Sequence, residues 1–207
     1  MIGHATRAQR TRALFVVLAP ALVVSVVGSR LTDGGHLAMY LLQFAFLAGG
    51  FWVADRAVRF SMPLWCTAVG LIALNLFMGA VNVHSNEIYN LEPGPHITRL
   101  DHPMHFVAAA VVTWGAWEAL CRVVTVQDRT RTMIAIIAGL VALGLGAIKE
   151  TSDSITGWDT DAAEIVWSTR WDLVFNTLGA GLAVAVIILT CHMAHAAPRS
   201  KRTGVRS

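Results

Sequence analysis

Six stretches of this chain contain no Asp, Glu, Lys or Arg: residues 13–29, 34–54, 60–86, 102–117, 132–148 and 173–198. Lipid offers no partner to an open backbone N–H or C=O, so runs of this kind cross a bilayer as helices whose hydrogen bonds are internal. A spanning helix needs about 17–25 mostly apolar residues. The fourth run reaches that length by continuing past Glu118 to Cys121. Composition agrees, with 55% of the 207 residues hydrophobic and 14% charged. Soluble domains carry roughly 25% charged residues.

The expected fold is therefore an all-α integral membrane bundle of six transmembrane helices. They fall near residues 13–29, 36–54, 62–84, 103–121, 133–149 and 173–194, in one polytopic domain over residues 1–207. The first run exceeds the roughly 7–15 apolar residues of a signal peptide, and no A-x-A site follows it, so it is read as a retained helix.

The basic residues orient the bundle. With the N-terminus inside, the inner segments hold twelve of the sixteen Lys and Arg residues, among them Arg7, Arg10, Arg12, Arg56, Arg59 and Arg122. The outer segments hold Arg30, Arg99, Lys149 and Arg170. This asymmetry predicts both termini in the cytoplasm. The positive net charge is thus read as a topology signal, with inner loops facing anionic headgroups, and nucleic acid is not an expected partner. The cysteines, Cys66, Cys121 and Cys191, lie in or at the inner ends of helices and are read as small apolar residues, with no outer pair to form a disulfide.

Local patterning adds detail. "DAAE", residues 161–164, reads as a capping box opening a short interfacial helix near residues 161–168. Ala135, Gly139, Ala142 and Gly146 in the fifth helix, and Gly179, Gly181, Ala183 and Ala185 in the sixth, are small residues that let those two helices pack closely. Glu118 stands four before Arg122, the spacing of a favourable helical ion pair.

Acidic residues show where chemistry belongs. Only Asp55, Glu118 and Asp128 are inner; the other ten of thirteen are outer. Three outer pairs share one membrane depth. Asp101 and His105 open the fourth helix, Glu150 and Asp153 close the fifth, and Asp172 and Asn176 open the sixth. Imidazole plus carboxylates is the donor set of a divalent metal site. In that reading Asp101, His105 and Asp172 are metal ligands. Glu150 and Asp153 are the catalytic acid–base candidates, and His102 and Asn176 support the ligands or touch substrate. Two carboxylates held at different pKa could also act without a metal.

Each pair has a local structural explanation as well. Asp101 can N-cap the fourth helix, with Pro103 in its first turn. Thr169 and Asp172 can form a "TRWD" capping box, and Glu150 and Asp153 can be a solvated helix end beside a snorkelling Lys149. His105 and Asn176 lie one turn deeper, where polar groups usually face the bundle interior.

"DHPMHF" fits an Asp-x-x-x-His-Phe element opening a helix. "IKETSD" places two acids three apart, and "WDLVFNTLGA" has Asp followed by Asn and Gly. Over roughly residues 83–185 the chain resembles the YjdF-like and VanZ-like bacterial membrane proteins. The resemblance implies several helices, an outer or interfacial polar cluster, and for VanZ-like proteins an association with glycopeptide-antibiotic resistance and the cell envelope. It carries Asp101, His105, Glu150, Asp172 and Asn176 over as site positions. The chain departs at Asp153, where YjdF-like proteins usually have Glu followed by Trp, and in its second histidine, His102.

Two functions follow as expectations. The first is a metal-dependent enzyme of the bacterial inner membrane acting on an envelope lipid or lipid-linked substrate. The alternative is a non-catalytic accessory subunit of a larger membrane complex. A transporter is disfavoured by the lack of an internal repeat or a broken mid-membrane helix. P-loop, Rossmann, zinc-finger, nucleophile-elbow and HExxH motifs are absent from the sequence.

Overall fold

The computed structural model describes residues 6–32, 37–83, 86–88, 91, 99–124, 128–156 and 162–196; for residues 86–87, 128–129, 152–156, 162–168 and 194–196 only the backbone is described. Six helices form: α1 (Arg7–Leu31), α2 (Leu37–Val58), α3 (Met62–Ala80), α4 (Asp101–Val123), α5 (Asp128–Thr156) and α6 (Ala162–Ala196). Each contains a segment long and apolar enough to cross a membrane. Between α3 and α4, the two-residue strands β1 (Asn82–Val83) and β2 (Asn86–Glu87) pair antiparallel.

The helices pack in two groups. In the first, α3 lies against α1 and α2. Leu14 and Leu18 of α1 meet Trp65, Val69 and Ile72 of α3, and Tyr40 of α2 meets Leu76 and Ala80. A side chain at Gly79 would run into the Tyr40 ring, so the glycine sets how closely α2 and α3 approach. In the second group α4, α5 and α6 all touch one another. Its tightest point is alanine on alanine: Ala109, Ala142 and Ala180 are buried together. The small residues of α5 do pack on α6, since a Cβ at Gly139 would stand 2.8 Å from Val184 and one at Gly146 would stand 2.9 Å from Asn176. On α6 the stripe divides. Gly179 faces α4, where a Cβ would meet the Phe106 backbone, and Gly181 has open space.

Several expected boundaries shift. α3 stops at Ala80 rather than near residue 84, because Val81 turns extended and leads into β1. α5 continues to Thr156. The short helix expected near residues 161–168 is not separate: α6 runs unbroken from Ala162. At about 1.5 Å per residue, its 35 residues span roughly 50 Å, more than the ~30 Å hydrocarbon core. α6 is therefore longer than a single crossing requires.

At the other end of the bundle, long-range polar contacts join the helices. Asp55 accepts from Arg10 Nη1 at 2.8 Å and from the Phe60 N–H at 3.1 Å. Glu118 does not pair with Arg122. Its carboxylate accepts the Ser61 N–H at 2.7 Å and the Ser61 hydroxyl at 2.5 Å, tying α4 to the start of α3. Arg122 instead donates to the Val58 carbonyl.

Candidate functional site

Asp101, Glu150 and Asp172 do not take the local roles that sequence alone permits. Asp101 is the first residue of α4, not its N-cap; Leu100 holds that position and gives no side-chain cap. The Asp101 carboxylate turns to Arg99, 3.3 Å away. Asp172 cannot cap α6, because the helix begins ten residues earlier. Glu150 is not a solvated helix end, because α5 continues past it and its side chain is buried. His102, Glu150, Asp172 and Asn176 are each 5% exposed or less.

α4, α5 and α6 bring these groups together. The His105 ring stands between two carboxylates, with Nδ1 3.7 Å from Glu150 Oε1 and Nε2 3.5 Å from Asp172 Oδ1. Asn176 stands near His105. His102 sits beside them, its Nε2 3.7 Å from Asp101 Oδ1 and 3.8 Å from Asp172 Oδ1. One ligand atom each from Asp101, His105 and Asp172 lie within 4.8 Å of one another. Four bonds of about 2.1 Å at tetrahedral angles put ligand atoms roughly 3.4 Å apart. The His105–Asp172 separation, 3.5 Å, is close to that figure, and the other two separations in the trio are within 4.8 Å.

Three carboxylates in one buried cluster repel one another unless positive charge intervenes. The chain supplies some. Lys149 Nζ is 3.1 Å from Glu150 Oε1 and 3.4 Å from His105 Nε2, while its side chain remains 43% exposed. Arg99 holds Asp101. Neither cation is among the site residues expected from sequence, although Arg99 stands two before Asp101 and Lys149 adjoins Glu150. The aromatic support of His102 is also unforeseen. Its ring stacks on Phe175 at 5.3 Å and 5°, with Trp171 at 6.4 Å. Trp171 and Phe175 are four apart on α6, hence on one face, and that spacing is the signal that could have revealed them.

Of the seven expected site residues, Asp101, His102, His105, Glu150, Asp172 and Asn176 converge. Asp153 lies on α5, one turn beyond Glu150, and its side chain is outside the described residues. Gly146 makes room for the convergence, since a Cβ there would press on the Asn176 amide.

The arrangement has two chemical capacities. An imidazole between two carboxylates can relay a proton once its 3.7 Å and 3.5 Å separations close to hydrogen-bond distance. The same ring can present Nε2 to a cation while Nδ1 faces a carboxylate, the pairing that usually orients metal-binding histidines.

A family model described as a predicted membrane protein family, DUF2238, matches residues 10–193, a span that includes the whole cluster. No curated protein and no solved structure matches the chain.

Proposed function

We propose that this chain, a member of the DUF2238 family of predicted membrane proteins, is a metal-dependent enzyme acting on a phosphate-bearing envelope lipid or lipid-linked substrate. The observation that carries the reading is the convergence of Asp101, His105 and Asp172, with ligand atoms within 4.8 Å, at one end of a three-helix group. His105 Nε2 and the two aspartates are the ligands. Glu150, on the Nδ1 side, fixes the ring's tautomer and orientation. Asp153, one turn further along α5, is the remaining candidate for general base. Asn176 stands beside His105, and His102, stacked on Phe175, sits between Asp101 and Asp172. A bound divalent ion would activate water or polarise a phosphoryl oxygen. Lys149, half in solvent, and Arg99 are placed to receive the substrate phosphate.

The motifs "DHPMHF", "IKETSD" and "WDLVFNTLGA" support a finer kinship with the YjdF-like and VanZ-like proteins. With the arginine asymmetry, they support a bacterial cytoplasmic membrane location, both termini inside and the cluster on the outer face. One observation favours the accessory-subunit reading instead. Lys149 already supplies a cation to Glu150 and His105, so the cluster can hold helices together without a metal.

The test is turnover. Protein reconstituted in vesicles of phosphatidylethanolamine and phosphatidylglycerol, doped with a polyprenyl phosphate, is stripped with chelator and then resupplied with Mg²⁺, Mn²⁺ or Zn²⁺. Lipid products are followed by mass spectrometry. The proposal expects a product that needs metal and is lost in Asp172→Asn. Unchanged lipid with every metal, and a stable larger complex on purification, would establish the accessory role.

A further inference from the structure

Contacts between α4 and α6 keep a nearly constant offset along the chain. His102 stacks on Phe175, Phe106 meets Gly179, and Ala109 is buried with Ala180, so the partners stand 73, 73 and 71 residues apart. The two helices therefore run side by side in the same direction. Carried to their far ends, the same offset sets Cys121 level with residues 192–194. At about 1.5 Å of rise per residue, Cys191 lies within one helical turn of that level.

The face agrees as well as the level. Cys191 follows Ala180 by eleven residues, about three turns, and the buried Ile187 by four, so it continues the stripe that Ala180 turns to α4. The two backbones approach closely. A Cβ at Gly179 would run into the Phe106 backbone, and where Ala109 and Ala180 are buried together no long side chain holds the helices apart. A disulfide needs such an approach, with Cα atoms about 4.4–6.8 Å from each other. Cys191 does stand near Cys121, and Arg131 of α5 is near the same thiol. Both are free, partly buried cysteines, whereas Cys66 is exposed on α3, in the other helix group. Cys121 and Cys191 each lie two residues inside the end of a segment able to cross the membrane, Val123 in α4 and Met193 in α6. A polar oxidant therefore meets them where the apolar spans give way.

We propose that Cys121 and Cys191 are a redox-active thiol pair, which a low-molecular-weight disulfide oxidises to a bridge between α4 and α6. One cysteine thiolate attacks the oxidant's S–S bond, forming a mixed disulfide and releasing one small thiol. The second cysteine attacks the mixed disulfide and releases the other. Two electrons and two protons pass from the cysteines to the oxidant, leaving one protein disulfide and two small thiols. The bridge ties α4 to α6 at the end of these helices opposite the His/Asp cluster and does not depend on what that cluster does.

The full-length protein in mild detergent is incubated with oxidised glutathione. It is then unfolded in dodecyl sulfate, and its remaining thiols are tagged with a maleimide polymer that shifts the gel band once per thiol. Reduced wild type should take three tags and oxidised wild type one, and dithiothreitol should restore all three. Mass spectrometry of the oxidised protein should find a peptide joining Cys121 to Cys191. Cys66→Ser should keep that peptide, and Cys191→Ser should lose it. Because the fold holds the two thiols together, the bridge should close at least about tenfold faster in folded protein than in protein unfolded before oxidation. Three tags after oxidation, or separate glutathione adducts on Cys121 and Cys191 with no bridge, would overturn the pair. A bridge through Cys66, or closure equally fast in unfolded protein, would overturn it too.

Discussion

Gly179→Ala and Gly181→Ala, two residues apart on α6, should move stability in opposite directions. A Cβ at Gly179 would meet the Phe106 backbone of α4, with the carbonyl carbon at 2.8 Å and Cα at 3.0 Å. Ordinary contact begins near 3.4 Å, and a backbone cannot swing aside as a side chain can. The two helices must therefore part by more than roughly half an ångström. Overpacking of this kind costs about 1–3 kcal/mol. At Gly181 nothing lies within 4 Å, so alanine there only gains helix propensity, up to about 1 kcal/mol. The two variants should differ by about 1–4 kcal/mol. Reversible unfolding in mixed detergent micelles, followed by tryptophan fluorescence, measures both. The effect should reach the cluster as well. Phe106 adjoins His105, and Gly179 is two turns from Asp172, so Gly179→Ala should weaken metal retention under conditions where the protein remains folded. Shifts of the same sign, or a neutral Gly179→Ala, would refute the α4–α6 packing and the site built on it.

Asp55→Ala takes the counter-charge from the part-buried Arg10 guanidinium, leaving it the Phe60 carbonyl, and leaves the Phe60 N–H without its acceptor; it should cost about 2–4 kcal/mol in the same unfolding assay. Glu118→Gln keeps one acceptor for Ser61 but gives up the charge, for a loss of about 1–2 kcal/mol; Glu118→Ala should cost more, because two hydrogen bonds go. Metal affinity should fall steadily as pH is lowered, since protons compete for the imidazole and the carboxylates. Equilibrium dialysis across acidic to neutral pH checks this sign, and tighter binding at lower pH would contradict it.

The six spans were legible because membrane crossing leaves a local mark, an uncharged run of fixed length, that no neighbour can override. The ends were less so. "TRWD" has the spacing of a capping box, yet the helix simply continues through it from Ala162, since residues 162–168 offer no break. That one misreading made Asp172 look like a cap, when it is a buried side chain at the centre of the cluster. Glu118 shows the same difficulty. Its spacing to Arg122 is local and readable, but its actual partner is Ser61, fifty-seven residues away. The candidate ligands were found from equal depth on three helices, a one-dimensional clue. The roles of Arg99, Lys149, Trp171 and Phe175 depend on how the helices are rotated about their axes, which a single sequence does not encode locally.

The metal content of the protein bears most directly on the central claim. It would be purified in mild detergent without chelator or histidine tag, and metal would be counted by mass spectrometry in wild type, His105→Ala and Gly181→Ala. The account predicts close to one divalent ion per chain in wild type and Gly181→Ala, and none in His105→Ala. Metal absent from all three after incubation with Mg²⁺, Mn²⁺ and Zn²⁺, or retained equally without His105, would contradict it.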